Sequence, residues 1–216
     1  VGGSLSLVVF LGVERRVRDP LLPLSVFDSR QFVGANAATF LVYGALSAML
    51  FFLILTLQNV AGYTAFQAGA SFLPFNVLLF FLSTPAGRLG ARTGPRLPMT
   101  VGALVAALGF ALLTRAASGG SYVTAVLPGV IAFGLGMSAL VAPLTSAVLE
   151  SLGRERAGLA SGVNNAVARL AGLIATAAIP LAAGFGGLQT LSGPPLANGF
   201  RRAMWICAAL SASGGL

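Results

Sequence analysis

Histidine and lysine are both absent from this 216-residue chain, and cysteine occurs once. Without histidine, the commonest metal ligand and the side chain that titrates nearest neutrality are missing, which argues against metal sites and imidazole acid–base chemistry. Cys207 alone cannot form an internal disulfide and reads as a small apolar residue in a helix. Charge is scarce too: charged residues make up 8% of the chain and hydrophobic ones 56%, with a mean hydropathy of +0.91. An average globular protein carries about 25% charged residues, so the deficit points to lipid as the solvent. A net charge of +8 would suit nucleic acid. The arginines are spread over separate short loops, however, with no basic helix or arm, so nucleic acid is not an expected partner. The lysine-free composition, dominated by Ala, Gly, Leu and Val, is that of a GC-rich bacterial genome. No signal peptide is visible. The chain opens inside an apolar run at Val1 and closes inside another at Leu216, so the expectation is a segment with material missing at both ends.

What charge there is falls in every second gap between long apolar runs. Nine of the thirteen arginines occupy three gaps: Arg15, Arg16, Arg18 and Arg30; Arg88, Arg92 and Arg96; Arg154 and Arg156. All five acids, Glu14, Asp19, Asp28, Glu150 and Glu155, lie in or beside the same gaps. The alternate gaps hold only Arg115, Arg201 and Arg202. Cytoplasmic loops of membrane proteins retain arginine and lysine, so a chain stitched back and forth through a bilayer explains the pattern. A crossing helix needs roughly 20 apolar residues. On that criterion residues 1–13 read as the end of a preceding membrane helix and 14–31 as a cytoplasmic connector broken by Asp19-Pro20 and Pro23. Residues 32–216 read as a six-helix domain with spans at about 32–57, 67–86, 98–115, 122–149, 157–184 and 201–216. Pro74 and Pro85 are expected to kink the second span. The fold class is therefore an all-α membrane protein, a six-transmembrane-helix bundle. Tyr63, Tyr122 and Trp205 fall at expected outer ends, where amphipathic rings favour the headgroup layer. Small residues such as Gly102, Ala106 and Gly109 in the third span, and Gly158 and Gly162 in the fifth, suit close helix packing.

The most specific stretch is Gly87-Arg88-Leu89-Gly90-Ala91-Arg92-Thr93-Gly94-Pro95-Arg96, read as a tight inner turn. It resembles the G-x-L-x-D-R-x-G-x-R loop of the major facilitator superfamily. Gly87, Leu89, Arg92, Gly94 and Arg96 fit, while Ala91 takes the acidic position, so the resemblance implies a loop that helps gate alternating access but lacks its acid. The run from Glu14 through Asp19-Pro20-Leu21-Leu22-Pro23-Leu24 to Phe27 is similar to the connector that follows the extra helix pair in fourteen-span drug:proton antiporters. Leu57-Gln58, Gly62-Tyr63 and Gln67-Ala68-Gly69 resemble the next span's end and outer turn. Arg156-Ala157-Gly158-Leu159-Ala160-Ser161-Gly162 with Asn164, Asn165 and Arg169 resembles the start of the penultimate span. Together these imply the C-terminal six-helix half of such a transporter, in a bacterial inner membrane. Its partners would be the bilayer, a small lipophilic substrate and the missing N-terminal half. No cofactor is implied, only a proton gradient.

Asn36, Thr39, Tyr43 and Ser47 are spaced 3, 4 and 4, which puts them on one face of the first span. Ser161, Asn165, Arg169, Gly172 and Thr176 share a face of the fifth, and Ser138, Ala142 and Thr145 offer one in the fourth. The resemblance places a substrate cavity near the midplane among the first, second, fourth and fifth spans. Asn36, Thr39, Tyr43, Asn165 and Arg169 are accordingly the cavity candidates; the alternative for each is an inter-helix hydrogen bond. No acid lies within any span, so a proton-coupling carboxylate is expected outside this chain. Uptake of another solute would want a more polar lining. Such an uptake transporter is one alternative; a non-transporting membrane scaffold or an enzyme is the other, although an enzyme would want clustered His, Asp or Glu, which is absent.

Overall fold

The computed structural model describes residues 23–184 and 193–215, together with Gly3, Ser6, Val9, Gly12 and Val13. The rest of the expected 1–13 helix end, residues 14–22 of the connector with Asp19-Pro20, residues 185–192 of the last loop and Leu216 lie outside the described residues. Among the described residues there is no strand. The helices are α1 (Arg30–Asn59), the short α2 (Ala65–Ala70), α3 (Leu73–Thr93), α4 (Arg96–Leu113), α5 (Leu127–Glu150), α6 (Ala157–Ala182) and α7 (Gly193–Gly214). Five spans, those built on α1, α2 with α3, α4, α5 and α6, are long and apolar enough to cross a bilayer. The sixth long helix, α7, packs on α1 and α4 and completes the bundle.

Local chemistry sets the helix ends. Ser29 caps α1, its side chain accepting from the Phe32 amide at 3.3 Å. Thr64 and Gln67 form a reciprocal capping box at the start of α2. Pro74 stands in the first turn of α3, where its missing N–H is harmless. It therefore begins a helix rather than kinking one, and the interruption sits just before it, at Ser71-Phe72.

The expected turn over 87–97 is a correction. Helix α3 continues through Gly87 to Thr93, and only Gly94-Pro95 turns the chain, Gly94 at φ +83°, a backbone region that favours glycine. Gly87 and Gly90 serve packing instead: a Cβ on Gly90 would lie 2.9 Å from Pro143 Cγ, so the missing side chain lets α3 seat against α5. The last span is a second correction. Gly193-Pro194-Pro195, read as loop, form the first turn of α7, where proline is tolerated, and Leu196 and Phe200 are fully buried just behind them.

By packing, the long helices run in the order α3, α5, α4, α7, α1, α6. The tightest seam joins α4 and α5. A Cβ on Gly102 would meet the Gly136 oxygen at 2.7 Å, one on Gly109 the Phe133 nitrogen at 2.5 Å, and one on Gly129 the Leu113 nitrogen at 2.9 Å. Phe110 and Phe133 pack beside this seam with ring centroids 4.9 Å apart. Gly158 and Gly162, by contrast, meet nothing within 4 Å. The terminal helices of the row, α3 and α6, are the least buried of the apolar spans. They expose Phe80 and Phe81 on one and Leu173 and Leu181 on the other.

Charged gaps converge at one end of the bundle. Arg30, Arg96 and Glu150, from three different gaps, line one groove of about 640 Å³. Across it Gln31 donates to the Ala147 carbonyl at 3.3 Å. At the opposite end Tyr63 and Tyr122, from two of the arginine-poor gaps, share a hollow of about 650 Å³, and the Tyr122 hydroxyl donates to the Ser71 carbonyl at 3.0 Å.

Candidate functional site

Helices α1 and α6 meet along faces made of small and polar residues. Near their charged ends Asn164 donates to Thr39 Oγ1 at 2.7 Å and to Asn36 Oδ1 at 3.2 Å. Asn36 in turn donates to the Phe32 carbonyl at 2.9 Å and Thr39 to that of Ala35 at 3.0 Å. Asn36 and Thr39 are buried. They form an inter-helix clasp, so they do not line an open cavity, which corrects their placement among the cavity residues. Two turns further along, Gly44 lets Ala171 approach, and Gly172 lies under Ser47, whose Oγ would be 2.7 Å from an added Cβ.

The other three candidates are brought together. Tyr43 and Ser47 from α1 and Asn165, Arg169, Gly172 and Thr176 from α6 line one concave surface of about 620 Å³. Tyr43 is half-buried, while Asn165 and Arg169 are exposed. Asn165 donates to the Ser161 carbonyl at 3.0 Å and Thr176 to that of Gly172 at 2.7 Å, which leaves the Asn165 carbonyl oxygen and the Arg169 fork without a hydrogen-bond partner among the described residues. Arg169 is the only ion in this wall. It lies twelve residues past Ala157, roughly 18 Å along a 1.5 Å-per-residue helix. A charge at that depth is costly against lipid and tolerable in a wet cavity. The surface can therefore offer a cation, a phenol, one amide and two hydroxyls beside apolar Ala168 and Leu173.

Asn164 is the residue that candidate selection from sequence missed. The signal was present: residues 160, 164, 171, 175 and 179 form one helical stripe, and Ala160, Ala171, Ala175 and Ile179 on it are all buried. Of the adjacent pair Asn164-Asn165, only the first belongs to that stripe. Replacing Asn164 with alanine removes two inter-helix hydrogen bonds, which average about 0.6 kcal/mol each in membrane bundles. Chemical unfolding in micelles should show a loss of about 1 kcal/mol, and an unchanged midpoint would mean the clasp contributes nothing.

On α5, Ser138 is buried against the Gly134 carbonyl and Thr145 bonds back to Val141; neither lines the surface beside Tyr43. The gating-loop candidates do not form one cluster. Gly87 packs on Ala142. Leu89 and Arg92, with Pro85 and Arg88, surround a separate hollow of about 310 Å³ on α3. Gly94 makes the turn, and Arg96 belongs to the groove with Arg30 and Glu150.

The sequence profile described as Major Facilitator Superfamily matches residues 6–176. The chain belongs to the major facilitator superfamily. Among similar proteins of known name, the "Multidrug resistance protein Stp" of Mycobacterium tuberculosis is 31% identical over 163 residues, covering 76% of this chain and 30% of that protein. The "Puromycin resistance protein pur8" of Streptomyces alboniger is 37% identical over 81% of this chain and 35% of its own length. The "Lincomycin resistance protein" of Streptomyces lincolnensis is 34% identical over 80% and 36%. The chain thus spans about a third of the length of these curated relatives. Family membership, bacterial relatives and five crossing helices make it a multi-pass protein of a bacterial inner membrane.

Proposed function

We propose that this chain is the C-terminal six-helix half of a bacterial exporter of lipophilic drugs, driven by the proton gradient. The observation that carries the reading is the wall of Tyr43, Asn165 and Arg169 midway along α1 and α6, open on one side, with the hydroxyls of Ser47 and Thr176 and apolar Ala168, Gly172 and Leu173 completing it. Such a surface is half of a midplane cavity. The relatives named for resistance to puromycin and lincomycin support antibiotics as the substrate class. The exposed apolar faces of α3 and α6 would receive the other six-helix half. Among the described residues the acids are Asp28, Glu150 and Glu155, none inside a crossing helix except at its last residue. The proton-binding carboxylate would therefore be contributed by that other half. A transporter of this kind binds and releases its substrate unchanged, and no catalytic group is assigned.

Dye efflux from cells expressing the intact transporter tests this. Efflux should stop when an uncoupler collapses the proton gradient. Tyr43→Ala should change the ranking of dyes exported without lowering membrane abundance. Efflux that survives the uncoupler would remove proton coupling, and an unchanged ranking would remove Tyr43 from the substrate surface.

A further inference from the structure

We infer that the groove at the charged end of the bundle holds the headgroup of an anionic phospholipid. It lies between the start of α1, the Gly94-Pro95 turn and the end of α5. Arg30 and Arg96 are the first residues of α1 and α4. A helix N-terminus carries partial positive charge from its unpaired N–H groups, so a cation is the disfavoured residue there. Neither helix has an acid in its first turn, and the first turn of α4 has no side-chain cap. The ends of α3 and α5, Thr93 and Glu150, also line the groove, so their C-terminal dipoles offset the two N-termini, and the two guanidiniums outnumber the single Glu150 carboxylate. The carboxylate of Glu150 is the one acid lining it, and among the described residues no ion pair joins Glu150 to either arginine.

A phosphodiester supplies a second anion beside Glu150, of the kind that guanidinium forks bind through paired oxygens. The rest of the lining suits a lipid better than a free ion: Gly34, Ala35 and Met99 give the groove an apolar side. Its 640 Å³ has room for about 20 waters at roughly 30 Å³ each, enough for a headgroup and its glycerol. Arginine sorting assigns this end to the cytoplasmic leaflet, which is rich in anionic lipid.

Native mass spectrometry of the protein released from bilayer discs of phosphatidylcholine with phosphatidylglycerol tests the site. The unaltered protein should keep phosphatidylglycerol in preference to phosphatidylcholine. The double variant R30Q/R96Q should retain about 30-fold less of it, the effect of two surface arginines. R115Q/R201Q, which removes the same charge from the opposite end, should retain it fully, and R30K/R96K should retain part. Equal retention by R30Q/R96Q and the unaltered protein would overturn the proposal, as would equal loss in R115Q/R201Q. Displacement of the bound lipid by millimolar inorganic phosphate would overturn it in favour of a free-anion site.

Discussion

Gly136→Ala is expected to lower the melting temperature by about 6–12 °C, the largest stability effect of any single methyl group in this bundle. The reason is what faces Gly136. A Cβ there would overlap the backbone nitrogen of Ala106 and lie 2.6 Å from the Gly102 oxygen and 2.8 Å from the Ala106 Cα. None of these atoms can swing aside as a side-chain end could, so relief requires α4 and α5 to separate. Separation would break the contacts of Gly102, Gly109 and Gly129 along the same seam and loosen the Phe110–Phe133 pair. In lipid there is no hydrophobic drive to press the helices back together, because association rests on close van der Waals packing. Overpacking typically costs about 1–3 kcal/mol, and a purely backbone clash belongs at the top of that range. At roughly 2–4 °C per kcal/mol for a domain of this size, the shift follows. Gly69→Ala supplies the contrast: Gly69 is helical, exposed and meets nothing within 4 Å, so alanine should stabilise by about 0.5–1 kcal/mol. Thermal melts in detergent would distinguish them, and equal melting temperatures would show that α4 and α5 are not held at the observed distance.

The sorting of arginine was legible because it obeys a rule that does not depend on how the helices pack. Arg30, Arg96 and Glu150 come from gaps far apart in sequence and meet at one end. Glycine was less legible, since a turn and a groove for a neighbouring helix both call for a missing side chain. Gly87 and Gly90 read as turn residues and turned out to be seats for α5, whereas Gly94 next to them does turn the chain. Only the partner across the gap, Ala142 or Pro143, distinguishes the cases. The same limit split the α1 face. Spacing put Asn36, Thr39, Tyr43 and Ser47 on one stripe, but which part of a stripe is covered depends on where α6 crosses it. Asn164 covers the first two, and the last two remain at the edge of the open surface.

Removing the charge of Arg169 should abolish most export while leaving the protein folded. The guanidinium sits near the middle of a 26-residue helix that is about 39 Å long, on the side exposed beside Tyr43 and Ser47. Two environments are compatible with an exposed cation at that depth, and they predict opposite results. Against lipid, the charge costs about 2.5–3.5 kcal/mol at a helix centre, so Arg169→Leu would raise stability and leave transport alone. Against a water-filled cavity, the desolvation cost is absent, so the same change leaves stability nearly as it was. What is lost there is a set of charge-assisted hydrogen bonds to substrate or to an acid of the opposing half, each worth about 1.5–3 kcal/mol. That loss corresponds to a fall in transport of about 10- to 100-fold. Arg169→Lys keeps the charge but not the planar fork, and should recover part of the activity. Dye efflux from the intact transporter, normalised to membrane abundance and paired with a melt in detergent, separates the two environments. A leucine variant that exports normally and melts higher than the unaltered protein would place Arg169 against lipid and remove the open wall of α1 and α6 from the transport path.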